Sequence, residues 1–473
     1  MTINSLNFDA QELREKILDL AMRGKLVKQD PNDEPASVLL EKITKEKEQL
    51  IKEKKIKKTK PLPEITDEEK PFDIPDSWEW VRLGEIGEVI SGGTPKTSVK
   101  EYWEDGNIPW ITPAIMADQI ENIKFNKDKI KYINDKGLNN SSAHLITKNS
   151  LVVSSRAPIG YINIVPFDYT TNQGCKSVTL FNKTSIKFVY FALKYRVPDM
   201  KKRASGTTFK EISGSKFNQT LIPLPPLEEQ SRIADKVAQL FALLRKVESS
   251  TDQYVELQQF LKNKVLDLAM QGKLVEQRDD EEPASVLLEK IRAEKAELIK
   301  EKKIKKTKPL PEITDKEKPF DIPGSWKWVR LGEVSNIFAG GDKPSDYSAI
   351  KDEQHPFEIF SNGVANAGLY GFTKQARVYE KSLTISARGT IGHVEIRRKP
   401  FLPIIRLITV TPYISDTVNF LGYYLTRFAV KSEGSSIPQL TVPKLKPKII
   451  PLPSLNEQKR IVTKIEELLD ILD

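Results

Sequence analysis

The chain of 473 residues is poor in the residues that build reactive centres. It has one cysteine, Cys175, and three scattered histidines, His144, His355 and His393. A single thiol excludes a disulfide scaffold and a cysteine-rich zinc site. Three isolated imidazoles argue against a histidine-based metal centre. No apolar run approaches the roughly 18 residues that a membrane span requires. The N-terminus lacks the charged-then-apolar pattern of a signal peptide. A soluble, cytoplasmic protein is expected.

Catalytic signatures are missing as well. Gly24-Lys25 and Gly272-Lys273 lack both the preceding glycine and the following Ser/Thr of a phosphate loop. There is no GxSxG elbow and no HExxH helix. There is no Asn/Asp-Pro-Pro-aromatic motif of an amino-methyltransferase, and no carboxylate spacing that suggests a nuclease. Ser154, Ser155 and Arg156 read as a polar strand-turn rather than a nucleophile cluster, and Cys175 reads as a core residue. The expectation is a chain that catalyses nothing alone and binds no metal or cofactor itself.

What is present is charge and repetition. Charged residues make up 29% of the chain and hydrophobic ones 39%, which leans toward long solvated helices. Lys and Arg number 74 against 65 Asp and Glu, a net charge of +9 that mildly favours a polyanionic partner. Residues 17–85 and 265–333 align without a gap, with roughly 55 identical positions. EPASVLLEKI and EKKIKKTKPLPEITD each occur twice unchanged, and IPLPPLEEQSRIADKV (222–237) returns as IPLPSLNEQKRIVTKI (450–465). Between these matches lie two segments that barely resemble each other. The chain is therefore a duplicated frame carrying two different inserts, not a solenoid of like units.

The frame reads as helical. Ile233, Val237, Leu240, Leu244 and Val247, then Tyr254, Leu261, Val265 and Leu268, recur at alternating spacings of four and three. This predicts a heptad stripe over some 40 residues, an antiparallel or intramolecular coiled coil. The C-terminus repeats its first part through Ile461, Ile465, Leu468 and Leu472. The N-terminus repeats its last part through Leu13, Ile17 and Leu20. A circular, pseudo-two-fold molecule with neighbouring termini is expected; a linear duplication is the plainer alternative. A further helix follows Pro35 and Pro283 and is predicted to run into the lysine-rich IKEKKIKK and to stop before the Lys-Pro-Leu-Pro at 60–63.

The inserts read as mixed α/β, so the whole is α+β: two α/β domains on a long-helix frame. Leu151–Val153 and Tyr161–Val165 are predicted strands, followed by a helix over Phe188–Leu193. Leu383–Ile385, Val394–Ile396 and Phe420–Leu425 repeat that order, and SSRAPIG (154–160) matches SARGTIG (386–392). The map is 1–77, 78–224 (first insert), 225–325, 326–452 (second insert) and 453–473. Each insert carries +7, with 20 basic and 13 acidic residues in the first and 17 and 10 in the second.

Candidates for phosphate or base contact follow from residue type. The turns SGGTPKT and AGGDKP supply Thr94, Lys96 and Lys343 beside glycines that let a phosphate approach; an ordinary turn explains them equally well. Lys201, Lys202, Arg203 and Lys210 form one basic stretch, and Arg397, Arg398 and Lys399 another. Arg156 and Arg388 occupy matching turns, and arginine can pair with guanine in a major groove. A solvated surface or structural ion pair is the alternative for each, and for the IKEKKIKK runs.

The frame resembles the specificity (S) subunit of type I restriction-modification enzymes, the HsdS family. LREKILDLAMRGKLV, EPASVLLEKI, KPLPEI, IPxSWxWVRLGE and IPLPPLEEQxRI carry the resemblance, which covers essentially the whole chain. It implies that each insert is a target recognition domain reading one half of a split double-stranded DNA site. It implies that the conserved helices dock two methyltransferase (M) subunits, which bring S-adenosylmethionine for adenine N6-methylation. It implies that restriction (R) subunits join through them and use ATP and Mg²⁺. Frame positions Ile233, Val237, Leu240, Leu244, Leu261, Ile461, Ile465 and Leu468 are the expected docking and frame residues. The rival reading is a coiled-coil adaptor that binds only protein, though an adaptor has no need of two unlike inserts. A third reading is a self-sufficient nuclease or methyltransferase.

Overall fold

The computed structural model describes residues 9–117, 130–156, 158–181, 186–206, 210–428 and 439–472. The chain divides into two compact units, Leu6–Ser250 and Thr251–Asp473. The helix Leu227–Met270 runs from one into the other. Each unit is a mixed α/β insert on helices, the α+β architecture expected from the repeat. Among the described residues no helix is long and apolar enough to cross a membrane.

In the first unit the insert is built on a four-stranded antiparallel sheet. Its spatial order is Gly87–Ser91, Cys175–Leu180, Ser150–Ser154 and Ile162–Val165. Strand alternation assigns its faces. Leu151 and Val153 point into the main core with Phe188, Val189 and Ala192 of the helix Ile186–Tyr195. Val152 points the other way, into a small core with Ile111, Met116 and Cys175. A three-stranded sheet, Lys131–Ile133, Ile108–Ile111 and Thr170–Thr171, lies on that side, its last pair parallel.

The second unit repeats the plan with other residues. Ser335–Ala339, Ile408–Pro412, Ser382–Ile385 and Val394–Arg397 form its four-stranded sheet. Leu369–Thr373, Phe357–Phe360 and Phe401–Pro403 form its three-stranded sheet, again with one parallel pair. The helix Val418–Phe428 packs Phe420, Leu421 and Leu425 on Leu383 and Ile385. The strand and helix expectations for both inserts therefore hold.

The duplicated phrases are duplicated because they lock together. Glu79–Arg82 pairs antiparallel with Leu221–Leu224, and Lys327–Arg330 with Ile449–Leu452. The phrase before each insert thus clasps the phrase after it and closes the insert at its root. The indole of Trp78 donates to buried Glu229 at 2.9 Å, and that of Trp326 to Glu457 at 2.8 Å. Arg82 is buried and donates to the carbonyls of Pro63 and Glu64 and to the Glu69 carboxylate. Arg330 does the same to Pro311, Glu312 and Glu317. One arginine in each copy ties KPLPEI to the clasp. Gly24 and Gly272 end their helices at φ +66° and +68°, where a Cβ would strike Pro75 or Pro323. Only glycine fits that junction without strain.

Two expectations about the helices need correction. The helices Ala36–Lys52 and Ala284–Lys300 stop well short of the Lys-Pro. Lys54 and Lys302 take φ of 57° and 61°, and Lys55 N–H reaches back to the Leu50 carbonyl at 2.9 Å. The reversal folds Ile56 onto the core, which a straight helix would leave in solvent. The heptad stripe, in turn, is buried only toward its ends. Ile233, Val237, Ile461 and Ile465 are fully buried, while Leu240, Leu244 and Leu468 are half-buried. Val247, Tyr254 and Leu261 are exposed. Within the first unit the terminal helix Ala10–Met22 meets the long helix through a two-pronged Arg14–Glu248 ion pair. Within the second, Gln258 donates to the Leu472 carbonyl of the helix Leu455–Leu472.

Candidate nucleic-acid interface

Three loops converge at one end of each large sheet. They are the glycine turn after the first strand, the hairpin turn carrying an arginine, and the segment that enters the second strand of the sheet. In the first insert these are 92–97, 155–161 and 172–174; in the second, 340–344, 387–393 and 404–406.

The glycines serve packing, which corrects the phosphate reading. Gly92 and Gly93 N–H donate to the Cys175 and Thr171 carbonyls at 3.2 and 2.8 Å. A Cβ on Gly92 would meet the Asn172 carbonyl oxygen, and one on Gly93 the Ser142 backbone. Gly340 and Gly341 N–H donate to Leu407 and Pro403. These amides are already spent, so they cannot cradle a phosphate. Thr94 instead bonds the Gln173 side chain, while Lys96 is exposed. Lys343 sits 3.8 Å from the Tyr347 ring centre and 5.3 Å from that of Tyr370. Both tyrosines are partly exposed, so this is a cation on a small aromatic platform.

The hairpin turns match in geometry and differ in charge. In the first insert Ser154 Oγ donates to the Pro158 carbonyl and accepts from Gly160 and Tyr161 N–H. That bonding makes Ser154 the staple of the turn. Arg156 projects outward and donates to Glu211 at 2.7 Å. Glu211 also takes buried Lys176 at 3.2 Å. Burial raises the Glu211 pKa, but hydrogen bonds from Arg156 and Lys176 outweigh it and hold the carboxyl below its ordinary value. In the second insert Arg388 donates to Gln439 at 3.0 Å. Glu211 and Gln439 are structural equivalents: Ile212 N–H bonds the Ser155 carbonyl as Leu440 N–H bonds that of Ala387. Arg156 is thus partly neutralised, whereas Arg388 keeps its full charge. The sequence match of 206–212 with 434–440 falls partly outside the described residues.

The remaining candidates separate cleanly. Lys201, Lys202 and Lys210 are exposed and make no ion pair among the described residues. Arg203 is committed internally, to Asp199, the Lys216 carbonyl and Thr220. Arg397 is buried; it donates to Thr384 Oγ1 at 3.0 Å and to the Ala367 carbonyl, with its guanidinium 3.5 Å from the Phe360 ring centre. Neither arginine is free for a ligand: moving Arg397 would break a satisfied buried network, and moving Arg203, which is half-buried, would strip three partners. Arg398 bonds Asn419, and Lys399 is exposed. Both lie beyond the far end of the hairpin from Arg388, about 13 Å of strand away. They do not belong to the three-loop cluster.

The third loop was missed. Gln173 is exposed beside Thr94, and Ile405 and Arg406 are exposed in the matching segment of the second insert. Strand register matches Gln173 with Ile405 and Gly174 with Arg406, since Leu151 pairs with Val178 as Leu383 pairs with Val410, and Gly92 N–H bonds Cys175 as Gly340 N–H bonds Leu407. Ile405 and Arg406 hold φ of 46° and 60°, a left-handed conformation that a β-branched residue rarely adopts. Such stored strain clusters at functional sites. Cys175 is buried beside Met116 and its thiol is pushed up to about 12 by burial, which removes it as a nucleophile. Among the described residues no group of three or more His, Cys, Asp or Glu is placed to hold a metal ion.

The family model for the type I restriction modification DNA specificity domain matches residues 75–256 and 323–473. The chain belongs to the type I restriction-modification specificity-subunit family. A specificity subunit directs DNA sequence recognition and is not the catalytic component. It is 31% identical to the type I restriction enzyme EcoAI specificity subunit of Escherichia coli, across 98% of this chain and 89% of that one. It is 32% identical to the EcoEI specificity subunit of E. coli, across 70% of this chain and 63% of that protein. Among solved structures, one described as the structural basis underlying complex assembly and conformational transition of the type I R-M system shares the fold. Its TM-score is 0.56 at 22% identity, covering 85% of this chain and 92% of that chain. Both family-model matches begin just before a clasp strand, so each matched segment takes in one insert and its root.

Proposed function

We propose that the two inserts, 78–224 and 326–452, are target recognition domains that read the two halves of an asymmetric, bipartite DNA site. The observation that carries this reading is the pair of three-loop clusters, set at the same end of equivalent sheets and different in side chains and in the backbone of the third loop. Arg156 with Glu211 and Gln173 faces one half-site; Arg388 with Gln439 and Arg406 faces the other. Like scaffolds with unlike tips suit two unlike sequences. Lys96, Lys201, Lys202, Lys210, Lys343 and Lys399 supply phosphate contacts that position rather than specify. The duplicated frame, 1–77, 225–325 and 453–473, presents two equivalent surfaces and docks two methyltransferase subunits, through which restriction subunits join. This chain binds no cofactor itself; S-adenosylmethionine, ATP and Mg²⁺ enter with the partners.

The test is a salt-dependent mobility shift of a bipartite duplex by the chain in complex with its methyltransferase subunit. Affinity should fall steeply with salt, and changing the gap between half-sites by one base pair should abolish specific binding. Binding indifferent to the gap would contradict the reading.

A further inference from the structure

The identical lysine-rich segments stand in different surroundings in the two copies, a difference that the DNA role does not use. In the second unit the end of Ala284–Lys300 and the segment after it face the clasp across a cavity of about 360 Å³. Six cations line it: Arg292, Lys295, Lys305, Lys306, Lys308 and Lys446. The carboxylate in its lining is Glu333, one oxygen of which already accepts from Arg330 N–H at 3.0 Å. None of the six cations has an ion-pair partner among the described residues. Lys295 and Lys446 are half-buried. Lys295 donates to the Gly332 carbonyl at 3.2 Å and lies 5.3 Å from the Tyr413 ring centre. Burial makes it give up its proton more readily than a free lysine; Glu333 opposes that and Lys446 adds to it.

A solvated lysine run would be expected to look alike in both copies, because the surrounding 69-residue repeat is nearly identical. The cavity departs from that expectation. Arg292 stands where the first copy has Thr44. Lys446 stands where the first copy has Asn218, as the paired backbone bonds from Leu331 to Lys448 and from Leu83 to Thr220 establish. Asn336 stands where the first copy has Glu88, whose carboxyl burial pushes upward. Each of the three replacements adds one positive unit, and all three line the same cavity. The first copy keeps Lys47 on the Gly84 carbonyl at 2.9 Å but lacks those added charges. Like charges gathered in a partly desolvated space destabilise a fold unless an anion offsets them.

We propose that this cavity of the second unit binds a compact polyphosphate, either inorganic or borne by a nucleoside. The charge density is what selects it. A phosphodiester or a carboxylate brings one charge per group, whereas a triphosphate brings several within the span of this cavity. Arg292 and Lys446 are its specificity-determining residues, and the lysines at 305, 306 and 308 close over it.

Titration calorimetry on the full chain with tripolyphosphate tests this, with ATP and a duplex lacking the target as parallel arms. One tripolyphosphate per chain should bind. Affinity should drop at least tenfold in the double variant Arg292→Thr, Lys446→Asn, whose new residues the first copy already carries in a folded context. Tighter binding of ATP would assign the nucleoside-borne form, and equal binding the phosphate chain alone. The converse variant Thr44→Arg, Glu88→Asn, Asn218→Lys should raise the stoichiometry toward two. The proposal is overturned by no saturable binding, by unchanged affinity in the double variant, by a stoichiometry that stays at one in the converse variant, or by duplex binding that alone depends on Arg292 and Lys446.

Discussion

Arginines that look alike along the chain do different work. Arg397, Arg398 and Lys399 read as one basic patch, yet strand alternation turns Arg397 inward under Phe360 and leaves its neighbours in solvent. Arg397→Ala should lower stability by about 2–3 kcal/mol, measured by denaturant unfolding, because it strips hydrogen bonds from a buried network. Arg388→Ala should leave stability within about 0.5 kcal/mol. It should instead lower the slope of log affinity against log salt by about one, as expected for the loss of one DNA-facing cation. Glu229 gives a pH signature. Burial raises its pKa above the ordinary 4.5, and the Trp78 indole only partly offsets this. The folded chain therefore binds that proton more tightly than the unfolded chain. This contribution is fully present below about 4.5 and is lost as pH rises through the folded value. Glu229→Gln, which keeps an oxygen for the indole, should be more stable than the parent near pH 7, with the difference vanishing below pH 4.5. A constant difference across that range would refute the assignment.

At the scale of elements, what was legible depended on whether a feature is local. The hairpin turns could be matched because SSRAPIG and SARGTIG share their turn-forming residues. The loop that completes each cluster could not, since Asn172-Gln173-Gly174 and Ile404-Ile405-Arg406 have nothing in common but their place before a strand. Only register shows that Ile405 and Arg406 stand where the first insert has Gln173 and Gly174. The helix stop at Lys54 was likewise hidden, because a lysine in the left-handed region carries no sequence mark and the cause is Ile56 reaching the core. The clasp was visible as repetition but not as pairing. Gly24→Ala tests one of its joints. It should cost more than the roughly 1 kcal/mol of a simple left-handed penalty, because the added methyl also meets the Pro75 ring at 2.5 Å.

At the scale of the molecule, the weak net charge of +9 conceals two basic inserts mounted on a frame that is, by difference, about −5. The clasp explains how one frame accepts unlike inserts. Both roots use Trp-Val-Arg against Ile-Pro, in the same register, so a transplanted insert meets the hydrogen bonds it left. Replacing 83–220 by a second copy of 331–448 should give a folded chain with unfolding behaviour close to the parent's. The measurement that most directly tests the central claim is a genome-wide map of methylated adenines in cells expressing this chain with its methyltransferase partner, compared with cells expressing the transplanted chain. The account predicts one asymmetric bipartite motif with a fixed gap for the parent. For the transplant it predicts a motif whose two halves have become the same. A transplant that leaves the parent's motif unchanged, or changes both halves together, would contradict it.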